Sequence, residues 1–364
     1  MANKACNEVV TVANMPMTVF DMISAMQNKY ADRVAFRYVE GKDRVVEKTY
    51  AQYVQDIRKA TGYLQQELGE PKGKKIVILS RTNYEYGAVV FGTMMAGAVI
   101  VTLNQGKTWA ELEHELGMVE PDLIFNDGID YGYRTQLEAL YGARLRPMDA
   151  WTAAPEAEMV NRIDYEGLLM LMFTSGTTGR SKGVMLSEKN FFSVMRAHTQ
   201  IGEHMMAYKH EPDLVMSQYT VLPMFHLGAF ICLFSWAHAG WALNVSSDIR
   251  SFYKEVKRMP SQAMAVVPVI MNSLHHDVMR GRKDRLGELW VPICSSAMFD
   301  PQVMLDMAEH GMFVVQTYGS TETCGDGIIN YAQDAKHIGA VGQGNDYLDY
   351  KIAEDGELCM RGDS

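Results

Sequence analysis

The feature that most restricts the fold is an alternation, repeated from Thr49 onward, of capped amphipathic segments with short unbroken apolar runs. Thr49-Tyr-Ala-Gln52 reads as a capping box, and Tyr53, Val54, Ile57, Ala60, Leu64 and Leu68 then form one apolar stripe that stops at Gly69. KIVILS (75–80) follows as a buried strand, 84–96 as a helix, AVIVTL as a strand, Thr108-Trp-Ala-Glu111 as a second capping box, and DLIF (122–125) as another strand. Helices threaded between continuous apolar strands make βαβ units, because parallel neighbours need a crossover to reconnect. The pattern restarts at Gly167 with LLMLMF and runs through AMAVVP, WVPICSS and MFVVQTYG. The expectation is an α/β protein: two stacked α/β subdomains with mostly parallel sheets, 1–164 and 165–325, joined where WTAAPEAE reads as a linker. From 326 to 364 short strands and glycine turns take over. Asp355-Gly356 marks a hairpin, and the start of a small antiparallel β subdomain is expected there.

Composition narrows the function. The 364 residues are 48% hydrophobic and carry a formal charge of -10, with basic residues dispersed, which disfavours a nucleic-acid partner. Five cysteines, Cys6, Cys232, Cys294, Cys324 and Cys359, form no C-x-x-C pair, so neither a disulfide framework nor a zinc site is indicated. With no secretory signal evident, the expected localisation is cytoplasmic. No Asp, Glu, Lys or Arg occurs from Leu214 to Val245, a stretch long enough to suggest a membrane span. Pro223, His226, His238 and the glycines interrupt it, and a buried helix and strand are expected instead. Tyr86–Asn104 raises the same question, and Gly97 is expected to split it into a helix and a strand.

The densest chemistry lies in FTSGTTGRSKGVMLSEKN. Of the ten residues from Thr174 to Gly183, eight are Gly, Ser or Thr and one is Lys, between a buried strand and a helix starting at Ser187. Glycines let the backbone close on an anion while hydroxyls and an ammonium supply donors and charge, so this is a phosphate cradle. It is not the Walker pattern, since no reading places Gly-Lys-Ser in register.

TSGTTGRSKGV resembles the phosphate-loop signature of the AMP-forming acyl-adenylate enzymes, the superfamily of acyl-CoA synthetases, luciferases and peptide-synthetase adenylation domains. TYAQYVQDIRKATGYLQQELG, GAVIVTLNQ, LPMFHLGAF, AVVPVIMNSL, TYGSTET and GELCMRG are similar to further blocks of that family, in the same order. The resemblance implies a ligase joining a small-molecule carboxylic acid to ATP, with release of pyrophosphate, before the thiol of CoA displaces AMP. Thr174, Ser175, Gly176, Thr177, Thr178, Gly179 and Lys182 would wrap the β- and γ-phosphates. Tyr318 and Gly319 would sit beside the adenine and the pocket, Thr321 on the α-phosphate, and Glu322 on Mg²⁺. Catalytic roles would thus fall to Lys182, Thr321 and Glu322.

Ser295, Ser296 and Ala297 occupy the adenine-binding stretch where many relatives carry glycines, a departure that adds two side chains near the base. Glu188 stands where histidine is common and is expected to touch only the helix start. Phe225, His226, Leu227, Gly228, Val267, Pro268 and Gly319 would line the acid pocket. No acidic residue follows Phe225, so an uncharged acyl or aryl acid, including fatty acids, is expected rather than an amino acid. The resemblance leaves room for a homodimer and calls for no integral membrane span. It also implies a small C-terminal domain carrying a catalytic lysine, absent from these 364 residues. Little adenylation activity is therefore expected of this piece alone. Two other functions stay open: loading of a carrier protein in place of CoA, and a truncated, non-catalytic nucleotide-binding paralogue.

Overall fold

The computed structural model describes residues 10–175, 181–211, 214–332, 334, 336–345 and 347–364, with the backbone alone for Ser175 and Asp326. The strands in chain order are β1 (Val34–Glu40), β2 (Arg44–Thr49), β3 (Lys75–Leu79), β4 (Val99–Thr102), β5 (Leu123–Asn126), β6 (Leu145–Pro147), β7 (Met170–Ser175), β8 (Ser181–Leu186) and β9 (Ser217–Thr220). They continue with β10 (Ala242–Val245), β11 (Ala263–Val266), β12 (Val291–Cys294), β13 (Val315–Ser320), β14 (Gly325–Asn330), β15 (Gln343–Gly344), β16 (Leu348–Ile352) and β17 (Leu358–Gly362). The helices are α1 (Val19–Asn28), α2 (Tyr50–Leu68), α3 (Tyr84–Met95), α4 (Trp109–Val119), α5 (Arg134–Tyr141), α6 (Glu188–Lys209), α7 (Leu227–Ala239), α8 (Phe252–Glu255), α9 (Pro268–Met279) and α10 (Pro301–Glu309).

Local chemistry sets the element ends. Thr49 and Gln52 exchange the two hydrogen bonds of a capping box at the start of α2, and at the start of α4 the Thr108 amide and hydroxyl both donate to Glu111 Oε2. Gly97 takes φ +76 between α3 and β4, a conformation that costs a side-chain-bearing residue energy, and so turns one apolar stretch into two elements. The long uncharged stretch likewise resolves into β9, α7 and β10, all buried. No helix among the described residues is long and apolar enough to cross a membrane.

Two sheets carry these elements. One has six strands in the order β6-β5-β3-β4-β7-β8, parallel except for the β7–β8 hairpin. The other has nine, β15-β14-β13-β12-β11-β9-β10-β1-β2, parallel from β13 to β1 and antiparallel at both flanks. A separate antiparallel pair, β16–β17, closes the chain around Asp355-Gly356, with Gly356 at φ +88.

The sheets are not consecutive halves of the sequence, and the expected boundaries at 164 and 325 do not coincide with them. The hairpin β1–β2 joins the nine-stranded sheet across β10, while β7 and β8 join the six-stranded one across β4. Hydrogen-bonding edges decide membership, and nearness in sequence does not. The WTAAPEAE stretch is docked rather than spacing: Trp151 is 2% exposed, the Ala157 amide donates to the Arg58 carbonyl, and Arg58 pairs with Glu156 on α2's flank. Glu188 also does more than start α6. It is 1% exposed, and its Oε1 accepts from the Val19 amide at 2.7 Å, so one carboxylate serves the first turns of both α6 and α1.

Candidate functional site

Because β9, β11, β12 and β13 run parallel, their C-terminal ends share one edge of the nine-stranded sheet, where α/β proteins commonly bind ligands. A cavity of about 620 Å³ opens on that edge. Its mouth is built from loops that leave these strands: His226 after β9, Val267 after β11, Ser295 and Ser296 after β12, and Gly319 with Thr321 at the end of β13. Leu227 and Gly228 join them from the first turn of α7. Eight of the residues expected at the nucleotide or acid site thus line this one cavity. Phe225 and Pro268, expected in the acid pocket, are not among the lining residues, nor are Ala297 and Tyr318, expected beside the adenine; Tyr318 is exposed.

Ser296 adopts φ +76, the left-handed region that disfavours residues bearing a Cβ. The departure noted in the sequence thus falls on a backbone position suited to glycine. His226 is an exposed residue at the edge of the cavity. The protein packed against its ring, and then the nearby charge of Lys107, lower its pKa from the usual imidazole value, which favours the neutral form at pH 7. Thr321 and Glu322 form a short 3-10 turn directly after β13, with Glu322 exposed.

The stretch expected to cradle phosphate connects β7 and β8 of the other sheet. Thr174 on β7 pairs in register with Lys182 on β8, and the Lys182 side chain is exposed. Gly176, Thr177, Thr178 and Gly179 lie outside the described residues, as does the side chain of Ser175. Since β7 is parallel to β4, this hairpin leaves the C-terminal edge of its sheet. Among the described residues, Lys182 and Glu322 form no ion pair with each other.

Several residues not singled out from the sequence belong to this neighbourhood. Lys107, just before the α4 capping box, bonds Glu115 and donates to Ser181 Oγ at 3.3 Å, tying α4 to the loop hairpin. Glu115 is 0% exposed within the stripe Leu112, Glu115, Leu116, Val119. An acid at a stripe position was the available signal. The second is β9, SQYT, a strand buried at every residue with three polar side chains among four.

From its mouth the cavity runs between α6 and α7 to the opposite edge of the sheet. Gly228, Cys232, Trp236 and Ala239 of α7 line it on one helical face, a run of about 16 Å at 1.5 Å per residue. Met205 and Gly202 of α6 contribute to the facing side, and Trp241, Arg33 and His238 stand at the far end. His238 is 2% exposed and hydrogen-bonds the Pro16 carbonyl, leaving Nε2 without a partner. Burial first, then the charge of His198, push its pKa down to about 4. A long, largely apolar channel with a polar mouth suits an organic acid whose carboxyl end stays near the strand ends.

The model of the AMP-binding enzyme family matches residues 24–364. The chain belongs to this family. It is 24% identical to the long-chain-fatty-acid–CoA ligase of Escherichia coli O157:H7, across 95% of this chain and 69% of that one. The 2-succinylbenzoate–CoA ligase of Bacillus licheniformis is also 24% identical, over 86% of this chain and 64% of that one. Among solved structures, the o-succinylbenzoate CoA synthetase of Bacillus subtilis with its acyl-adenylate intermediate superposes with a TM-score of 0.78. It is 19% identical, with 94% of this chain and 69% of that one covered. The N-terminal domain of FACL13 from Mycobacterium tuberculosis gives 0.77 at 20% identity, covering 95% and 89%. At such identities these likenesses speak for the fold, that of the large N-terminal portion of acyl- and aryl-CoA synthetases.

Proposed function

We propose that this family member activates an uncharged acyl or aryl acid with ATP, forming an acyl-adenylate and pyrophosphate, and passes the acyl group to the thiol of CoA. The single observation that carries the reading is the cavity's polarity. Ser295, Ser296, Gly319 and Thr321 gather at a mouth that continues into an apolar channel, so nucleotide and acid meet at the strand ends. Relatives named as CoA ligases support the same chemistry.

In this reading the protein acts by placement. It holds the carboxylate in line with the α-phosphorus and supplies donors to the departing pyrophosphate. Lys182 and the hydroxyls around it grip the β- and γ-phosphates, and Thr321 bonds the α-phosphate. The neutral His226 ring borders the carboxylate without trapping it as an ion pair. Adenine lies along Ser295-Ser296-Ala297 and Tyr318.

The residues present fit a magnesium ion bound mainly through substrate. Among the described residues no cluster of three or more His, Cys, Asp or Glu could cage a metal, whereas Glu322 offers one exposed carboxylate beside Thr321. A hard cation that takes its remaining ligands from phosphate oxygens and water suits that arrangement. When bound, it would neutralise charge on the leaving group.

The test has two arms. Calorimetry on residues 1–364 should show binding of ATP with magnesium. ATP–pyrophosphate exchange by the full reading frame should depend on added carboxylic acid across a panel of fatty, aryl and small acids. Lys182→Ala and Glu322→Ala should each lower exchange on the order of 10²-fold. Exchange that ignores the acid, or is untouched by both substitutions, would overturn the proposal.

A further inference from the structure

The β7–β8 hairpin is tied at its loop end by a side chain from another element. β8 is an edge strand, bonded to β7 alone, and the last rung of that ladder pairs Ser175 with Ser181. Ser181 is half-buried and Lys182 and Gly183 are exposed, so packing does little to fix them. Lys107 Nζ donates to Ser181 Oγ at 3.3 Å. Among the described residues, this is the only hydrogen bond that a side chain from elsewhere in the fold makes to this end of the hairpin. Lys107 is itself held from behind by Glu115, which is 0% exposed on α4.

Stability alone does not call for an acid at position 115. Glu115 shares its stripe with Leu112, Leu116 and Val119, which pack with Val101 and Ile124 of the six-stranded sheet. Leucine would suit such a place, and exchanging a buried ion pair for apolar side chains is often neutral or stabilising. What the pair supplies is direction. The packed helix α4 carries the carboxylate, the carboxylate holds the ammonium, and the ammonium ends on the first residue of β8, next to Lys182. An ammonium only donates, so Ser181 Oγ accepts and its position is set from α4. The charge of Lys107 is also felt at His226, which brings this corner of the six-stranded sheet close to the cavity mouth.

We propose that Lys107, set by Glu115, is a positioning residue for the polyphosphate end of ATP: by holding Ser181 it fixes the loop end of the β7–β8 hairpin, and with it Lys182, for the β- and γ-phosphates. The proposal rests on the acyl-adenylate reading above and adds the tie that keeps the phosphate-binding hairpin in place. It also divides the nucleotide between the sheets. In that reading the base and α-phosphate lie with Ser295, Ser296 and Thr321 of the nine-stranded sheet, whereas Lys107 acts through the six-stranded one. Affinity for ATP should therefore depend on Lys107, and affinity for AMP should not.

Titration calorimetry on residues 1–364, with magnesium present, measures ATP and AMP against the wild type, Ser181→Ala, and the double variant Lys107→Met with Glu115→Leu. The double variant removes both charges together and strands no carboxylate, and a melting curve checks its fold. Both variants should bind ATP about tenfold or more weakly than the wild type while holding AMP within about twofold. A general loosening of the fold would weaken both nucleotides alike. ATP affinity unchanged in either variant, or equal losses of ATP and AMP, would overturn the inference and leave the acyl-adenylate reading standing. Failure of the wild type to bind ATP would overturn that reading, and the inference with it. If the double variant does not fold, Ser181→Ala, at a half-buried strand end, decides by itself.

Discussion

Acidification tests how the far end of the channel is built. His238 sits in the last turn of α7, 2% exposed, with its pKa held at about 4 by burial and by the neighbouring His198. In an unfolded chain the ring titrates near 6.5. The folded pKa is the lower one, so between about pH 6.5 and 4 the unfolded state binds more protons, and stability falls as the pH falls through that window. The full difference corresponds to about 3 kcal/mol, of which about 2 kcal/mol is lost between pH 7 and pH 5. Glu85 and Glu188, whose pKa values burial raises, bias stability in the opposite direction at lower pH, and His204 and His226, both lowered, act in the same direction as His238. A comparison with His238→Gln removes these contributions, because they are common to both proteins. Glutamine keeps an N–H for the Pro16 carbonyl and does not titrate. Urea unfolding of both proteins at pH 7 and pH 5 should show the wild type losing about 2 kcal/mol more than the variant. Equal losses would refute the account of His238 as a buried neutral ring.

Two further substitutions probe the surroundings of the site. Lys107→Met should cost about 3–5 kcal/mol by stranding the Glu115 carboxylate, and adding Glu115→Leu should recover most of it in urea melts; a double variant no more stable than the single one would sink this reading. Ser296→Gly should raise stability by about 1 kcal/mol by releasing the φ +76 strain, read as a higher melting temperature, and a lower one would show that the hydroxyl makes contacts worth more than the strain.

Much of this protein was legible in its residues because the relevant physics is local. Capping boxes at Thr49 and Thr108, the turn at Gly97 and the hairpin at Asp355-Gly356 depend on a few adjacent side chains and backbone angles, and each stands where the pattern put it. Ordered motif resemblance identified the family, and the strand-end positions of His226, Ser295 and Thr321 followed from placing those motifs after apolar runs. The phosphate-loop glycines and threonines remain a proposal drawn from the motif.

What only the tertiary structure decided concerns partners far apart in the chain. Nothing near β1 shows that it will pair with β10, and nothing near β7 shows that it will pair with β4, because sheet edges are matched in space. Glu188 reads as an ordinary first-turn acid until the Val19 amide, 169 residues away, is brought to its carboxylate. Gln218 reads as one polar residue in an apolar stretch until α7 covers it and brings Cys232 Sγ within 3.0 Å of its amide nitrogen. Sequence determined the elements, the family and the candidate chemistry, since short-range geometry and composition encode them. Long-range packing decided which polar groups are buried, and burial is what holds a histidine neutral.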